Sequence, residues 1–182
     1  MQRNHARTLV LGIGNTLLGD EGIGVHVVNR LQRQRAPLDD VDFVDGGTLS
    51  FVLAEPIEEA DSLIVIDAAQ LGAAAGEVRV FEGTDMDHFV ANNMHSSVHE
   101  VSLYDLLTIT LLAGRLPPRR VLIGVQPGII DWSDSLSSPV AAAVPGLCET
   151  VHGILARWQT HPLGESADGW RGPAQCRSSD IP

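Results

Sequence analysis

The chain has 182 residues, 44% of them hydrophobic, and a formal net charge of −11. This size suits one folded domain with a hydrophobic core, and the negative charge argues against binding to nucleic acid or to an anionic membrane surface. All 12 basic residues are arginine, which excludes a phosphate-loop lysine, a Schiff-base lysine and a Ser–Lys dyad.

In chain order, short apolar segments alternate with segments of helical periodicity. The segment 76–81 alternates in polarity and is expected at an edge of the sheet, and Ser138 and Pro139 are expected to open the last helix as N-cap and first residue. The predicted strands are 7–14, 41–44, 62–67, 76–81 and 120–125, and the predicted helices are 22–35, 51–59, 99–113 and 138–158. This alternation predicts an α/β fold with a mostly parallel sheet covered by helices on both faces.

The composition changes after Gln159, where Gly, Pro, Ser and charged residues follow without periodicity. We therefore predict a single domain over residues 1–158 and a disordered tail over 159–182. The two cysteines, Cys148 and Cys176, match no metal or redox spacing. Because the sequence also shows no signal-peptide pattern and no long apolar run, we expect a cytoplasmic protein.

The most distinctive motif is LGIGNTLLGDEGIG at residues 11–24. It fails the dinucleotide fingerprint because Leu17 stands where the third glycine belongs, and it fails the phosphate-loop pattern because Asp20 and Glu21 replace Lys and Ser/Thr. Two carboxylates at a helix start repel phosphate and suit a cation. For Asp20 the alternative is a structural one, in which the carboxylate caps the N–H groups of the helix.

Further acids follow the other predicted parallel strands. Asp45 lies at the end of the second strand and Asp67 at the end of the third, and each has the alternative of being a turn residue. The carboxyl ends of parallel strands meet at one edge of a sheet, where ligands usually bind. The loop 127–137, with the apolar Trp132, is expected at the same edge. It is a candidate to contact a protein substrate, although Trp132 could instead pack on its own domain.

Histidines occur at i and i+4 in the segment HSSVH, as His95 and His99. The glutamate of the zinc-protease motif H-E-x-x-H is missing, so this pair does not form that site. One neutral imidazole converging with two carboxylates would make a three-ligand site with open positions, which suits zinc or nickel. The alternative is a histidine that only lines or caps the helix start. A serine or cysteine nucleophile is not expected, because the G-x-S-x-G motif is absent and neither cysteine lies at a strand end.

Several blocks, taken in order, resemble the nickel–iron hydrogenase maturation endopeptidases, peptidase family M52. The blocks are GIGNTLLGDEGIG, then VDGGT, IDA, HEVSLYDLL and IGVQP, between about Leu9 and Leu155. The resemblance implies a twisted five-stranded sheet between helices, in a three-layer α/β/α arrangement. It also implies cleavage of the C-terminal extension of the hydrogenase large-subunit precursor once nickel has been inserted.

The same resemblance implies the site residues. The metal-contacting and catalytic residues of the family carry over to Glu21, Asp67 and His99, and Asp45 carries over with a role near the substrate. His99 is preferred to His95 because it begins the H-E-x-x-L-x-D-L-L pattern. The nickel is expected to arrive with the precursor and to act as the recognition element, and zinc or cadmium is expected to occupy the same site in vitro. Hydrogenase assembly chaperones are further candidate partners.

Three other functions remain open at this point. A self-sufficient zinc hydrolase would use the same three residues on a small substrate and would retain stoichiometric zinc. A nickel-sensing chaperone would bind the precursor without cutting it. A nucleotide-binding module is disfavoured by the acids in the glycine-rich loop and by the lack of lysine.

Overall fold

A computed structural model describes residues 6–34, 40–93 and 101–161. Its regular elements alternate along the chain as the sequence predicts. The strands are β1 Thr8–Ile13, β2 Val41–Gly47, β3 Ser62–Ala68, β4 Val78–Glu82 and β5 Arg119–Val125. The helices are α1 Ile23–Gln34, α2 Ala54–Glu59, α3 Thr84–Asn92, α4 Leu103–Leu112 and α5 Ser138–Thr160, and 3₁₀ turns span Gly19–Gly22 and Phe51–Leu53.

The strands form one five-stranded sheet with the order β2-β1-β3-β5-β4. The first four strands in this order pair in parallel, and β4 pairs antiparallel with β5 at the edge. In register, Gly12 near the end of β1 lies beside Asp45 of β2 and Ile66 of β3. The predicted mostly parallel sheet and the edge strand are therefore confirmed, and the carboxyl ends of β1, β2 and β3 lie side by side.

Two hydrophobic cores cover the two faces of the sheet. On one face, α1 and α5 bury residues such as Ile23, Val27 and Leu147 against Ile64 and Ile123. On the other face, helices α2, α3 and α4 pack a second apolar cluster against the alternate residues of the strands, such as Leu11 and Val65. Because successive strand residues point to opposite faces, both sets must be apolar. This is the three-layer α/β/α arrangement that the sequence and the family resemblance predict.

Helix α3 is missing from the sequence-based prediction. It is acidic in its first turn and buries only Met86 and Val90, so its apolar periodicity is weak. Helix α4 begins at Leu103, where Ser102 and Asp105 form a capping box. The predicted start of that helix at His99 lies outside the described residues.

Helix α5 differs from the prediction at both ends. Its N-cap is Ser137 and not Ser138, with Pro139 in the first turn, and the helix continues to Thr160. The N-cap hydroxyl makes no capping bond, because Ser137 Oγ donates to the carboxylate of Asp20. The remainder of the predicted tail, residues 162–182, lies outside the described residues.

By length and composition, α5 is also apolar enough to cross a membrane, and it is the only such helix in the described part of the chain. Its buried residues, including Val140, Leu147 and Val151, pack in the core that it shares with α1 and the sheet. Such a helix is typical of the core of an α/β domain, where its apolar face packs against other parts of the protein.

Candidate functional site

The glycines of the 11–24 motif allow a close approach of backbone segments. A Cβ at Gly24 would lie 2.1 Å from the carbonyl oxygen of Ile66 and 2.5 Å from that of Ile13. A Cβ at Gly14, whose φ is +127°, would lie 1.8 Å from the carbonyl oxygen of Glu21. Only glycine fits such contacts. The motif therefore serves to pack the start of α1 directly on the ends of β1 and β3.

This packing brings Glu21 and Asp67 to one cavity. Glu21 lies in the 3₁₀ turn between β1 and α1, and Asp67 is the next-to-last residue of β3. Both line a cavity of about 240 Å³ at the carboxyl edge of the sheet. The remaining wall is largely apolar, with Leu49, Phe89 and Leu103 among its residues. Two of the predicted ligands are thus neighbours in an open, partly apolar pocket.

The two carboxyl groups interact electrostatically. Burial raises the pKa of Asp67 to about 7, a hydrogen bond from the Ala68 N–H opposes this shift, and the negative charge of Glu21 adds to it. Near neutral pH, Asp67 therefore exists in both protonation states. A cation between the two groups would replace their repulsion with attraction, so the pair suits a metal ion or a proton-transfer role.

Asp20, adjacent to Glu21, does not line the cavity and lies in a buried environment instead. It is completely buried, and its carboxylate accepts hydrogen bonds from the backbone N–H groups of Gly128, Ile129 and Ser137 and from Ser137 Oγ. Burial alone would raise the pKa of Asp20, but these hydrogen bonds outweigh it and lower the pKa. The alternative that Asp20 caps its own helix is wrong, since the bonds lead to the loop that follows β5.

Asp45 lies at the neighbouring strand end but does not line the cavity. It is exposed, and its carboxylate accepts hydrogen bonds from the Gly47 N–H at 2.9 Å and from Asn29 Nδ2 at 3.4 Å. These contacts fix the irregular end of β2, where the register with β1 shifts. Its predicted contact with substrate stays a prediction.

Trp132 lies in the loop after β5, and 80% of its surface is exposed. The alternative that it packs into its own domain is therefore wrong. Ile129 and Ile130 in the same loop are also more than half exposed, as is Leu17 in the loop after β1. The two loops are joined by backbone hydrogen bonds from the Ser133 N–H to the Leu17 carbonyl and from the Gly19 N–H to the Ser133 carbonyl. Ile130 also lines the cavity. We call the exposed residues Leu17, Ile129, Ile130 and Trp132 the apolar rim.

The third predicted ligand, His99, and the competing His95 lie outside the described residues. Within the three described ranges, no group of three His, Cys, Asp or Glu side chains is placed to hold a metal ion. Glu21 and Asp67 could supply two oxygen donors, and a three-ligand metal site would need a further donor from outside the described residues. Donors of this type fit zinc or nickel when an imidazole is added.

Other residues of the site have no clear signal in the sequence. Asn93 and Tyr104 line the cavity, but α3 was not predicted and Tyr104 is one apolar-face residue of a leucine-rich helix. Gln126 differs from these two residues, because the sequence places it directly after the last predicted strand, at the carboxyl edge. It does not line the cavity and is 7% exposed. Its Oε1 accepts a hydrogen bond from the Leu71 N–H at 2.7 Å, which holds the chain that follows Asp67.

The fold is that of an α/β protein with a cavity lined by two carboxyl groups at the carboxyl edge of its sheet, the edge where ligands bind in folds of this class. The family HycI, hydrogenase maturation protease, matches residues 25–154. Over 168 residues the chain is 37% identical to the hydrogenase expression/formation protein HupD of Bradyrhizobium diazoefficiens, covering 88% of this chain and 86% of that protein. It is 32% identical over 150 residues to the hydrogenase 2 maturation protease of Escherichia coli, covering 82% and 90%.

Solved structures agree with these sequence matches. The hydrogenase maturating endopeptidase HybD of Escherichia coli superposes with a TM-score of 0.77 at 32% identity, over 83% of this chain and 93% of that one. The chain therefore belongs to the hydrogenase maturation protease family, and it is an endopeptidase.

Proposed function

We propose that this endopeptidase removes the C-terminal extension of a nickel–iron hydrogenase large-subunit precursor after nickel insertion. The observation that carries the proposal is the pair Glu21 and Asp67, which line one cavity and repel each other there. Nickel held by the precursor would enter between them as part of the substrate and serve as the recognition element. Together with His99, the two carboxylates would complete its coordination.

The protonation of Asp67 supports a further role in the cleavage step. Without a metal on its oxygens the pKa of Asp67 is about 7, so a carboxylate of the pair that is left free of the metal would accept a proton from the attacking water and return it to the leaving amine. The alternative is that the metal held by Glu21, Asp67 and His99 would polarise the scissile carbonyl or activate the water. Glu21 would contribute charge, and the apolar wall of the cavity would limit competing water. Zinc or cadmium would occupy the same ligands in vitro.

The apolar rim supports the choice of a protein substrate. Exposed large apolar side chains beside a cavity are typical of interaction sites. We propose that the rim contacts the precursor next to the cleavage site and that Asp45, at the neighbouring strand end, lies near the bound chain. Hydrogenase assembly chaperones would bind the same complex, and we place the reaction in the cytoplasm, the compartment that the sequence predicts.

An intact-mass assay tests the proposal. The purified protein is mixed with a nickel–iron hydrogenase large-subunit precursor, purified with and without nickel. We expect loss of a C-terminal peptide from the nickel-loaded precursor only. Cleavage of both forms would reject nickel as the recognition element, and a stable complex without cleavage would favour a chaperone role.

Three variants test the site in the same assay. Glu21→Gln, Asp67→Asn and His99→Ala should each lower the cleavage rate by at least 100-fold while leaving the fold intact. Glu55→Gln is the matched control, because Glu55 is an exposed carboxylate in the first turn of α2 and does not line the cavity. Cleavage at the normal rate by Glu21→Gln would contradict its assignment.

A further inference from the structure

The residue next to Glu21 connects two distant parts of the chain. Asp20 is completely buried, and its Oδ2 lies 2.9 Å from the Gly128 nitrogen, 2.8 Å from the Ile129 nitrogen and 2.7 Å from Ser137 Oγ. Its Oδ1 lies 2.7 Å from the Ser137 nitrogen. Both carboxylate oxygens are therefore occupied by hydrogen-bond donors from the loop between β5 and α5.

Backbone hydrogen bonds reinforce this connection. The Asp20 N–H donates to the Ile129 carbonyl at 3.1 Å, and the Gly19 N–H donates to the Ser133 carbonyl at 2.9 Å. In return, the Ser133 N–H donates to the Leu17 carbonyl at 3.0 Å. The loop after β1 and the loop after β5 are thus bonded along several residues, and the Asp20 carboxylate is the buried side chain at their centre.

The two joined loops carry different parts of the site. The first leads directly into the turn with Glu21, which lines the cavity. The second presents three of the four residues of the apolar rim, Ile129, Ile130 and Trp132. Exposed loops with few buried apolar contacts are usually the less ordered parts of a protein. A buried carboxylate with four donors replaces those missing contacts.

We propose that Asp20 is a positioning residue, which fixes the loop bearing the apolar rim to the turn bearing Glu21. A precursor bound at the rim is then held at a set distance from Glu21 and Asp67. This inference rests on the proposed function, because it takes the rim as the docking surface. Asp20 itself does not contact the substrate, since both of its oxygens face the loop.

The test is single-turnover cleavage of the nickel-loaded precursor at saturating enzyme, with Asp20→Asn in the full-length chain. Asparagine keeps the shape, but its NH₂ group must face an N–H donor of the loop. We expect the rate constant at saturation to fall at least tenfold, because small misplacements of reacting groups are costly. Partial unfolding alone would lower the active fraction and leave this rate constant unchanged.

Two variants serve as controls. Ser137→Ala removes one of the four hydrogen bonds and leaves the three backbone donors, so its rate constant should fall by less than threefold. Glu55→Gln removes an exposed carboxylate away from both loops and should change nothing. A larger effect of Ser137→Ala than of Asp20→Asn would overturn the inference.

Amide hydrogen exchange of the enzyme alone gives a readout that needs no precursor. In Asp20→Asn the amides of Gly128, Ile129 and Ser137 should exchange at least tenfold faster, while the amide of Val65 in β3 should not change. Unchanged loop exchange, or a wild-type cleavage rate constant in Asp20→Asn, would overturn the inference alone. A wild-type enzyme that leaves the loaded precursor intact would instead overturn the proposed function.

Discussion

Gly24 lies against Ile66, so that a Cβ on the glycine would stand 2.1 Å from the carbonyl oxygen of Ile66. This contact sets the start of α1 on β3, one residue before Asp67. It explains why the turn carrying Glu21 comes so near to Asp67, and it makes the site depend on a residue without a side chain.

Gly24→Ala should destabilise the protein and disrupt the site. Alanine gains about 1 kcal/mol over glycine in helix propensity, but the clash with backbone should cost more, about 3 kcal/mol. We expect a net loss of about 2 kcal/mol in the free energy of unfolding, measured by urea denaturation, and a slower cleavage rate. Gly153→Ala is the matched control, because a Cβ at Gly153 in α5 meets no atom within 4 Å. Equal stability of the two variants would contradict this account.

The pH dependence of stability should reveal Asp67. Its pKa is about 7 in the folded protein, against 3.8 for an unperturbed aspartate, so the protonated form is favoured by folding. The contribution of Asp67 to stability is fully present below pH 3.8 and is lost progressively as pH rises to about 7, by roughly 4 kcal/mol in all and by about 3 kcal/mol between pH 5 and pH 9. Asp67→Asn should lack this loss. Urea denaturation of both proteins at pH 5 and pH 9 measures the difference, and parallel pH profiles would refute the assignment.

Glu21→Gln should lower the pKa of Asp67, because the charge of Glu21 contributes to raising it. The shift should be smaller than the total, since burial of Asp67 is the larger cause. A ¹³C NMR titration of the Asp67 carboxyl carbon measures it in the enzyme alone. Glu55→Gln should leave the titration unchanged. An unchanged or higher pKa in Glu21→Gln would show that the two carboxyl groups are not coupled.

Trp132→Ala should weaken binding of the precursor by about tenfold or more, as expected for an exposed aromatic anchor. The cleavage rate at saturating enzyme should stay close to normal, because Trp132 does not line the cavity that holds Glu21 and Asp67. Leu112→Ala is the control, since Leu112 is 82% exposed at the C-terminal end of α4, away from the cavity. The enzyme concentration that gives half of the maximal single-turnover cleavage rate reports the affinity of each variant, and equal concentrations would exclude Trp132 from the interface.

The sequence alone was sufficient for the architecture. The apolar periods of the five strands and of α1 and α5 predicted the parallel sheet, because local spacing determines which face of an element is buried. Spacing placed Glu21 and Asp67 at the carboxyl edge of the sheet, where both line the cavity, and the family resemblance gave them the role of ligands, which stays a prediction. Helix α3 escaped prediction because its few buried residues leave a weak period.

Only the tertiary structure showed what Asp20 does. Composition and spacing make both Asp20 and Glu21 candidates for a cation site, and the family resemblance carries the ligand role to Glu21. In the fold, Glu21 lines the cavity, whereas Asp20 is bonded to Ser137, which lies 117 positions further along the chain. No local pattern encodes such a partner, because the contact exists only after the sheet has brought the loops after β1 and β5 together. The same holds for the raised pKa of Asp67, which depends on burial and on the charge of Glu21.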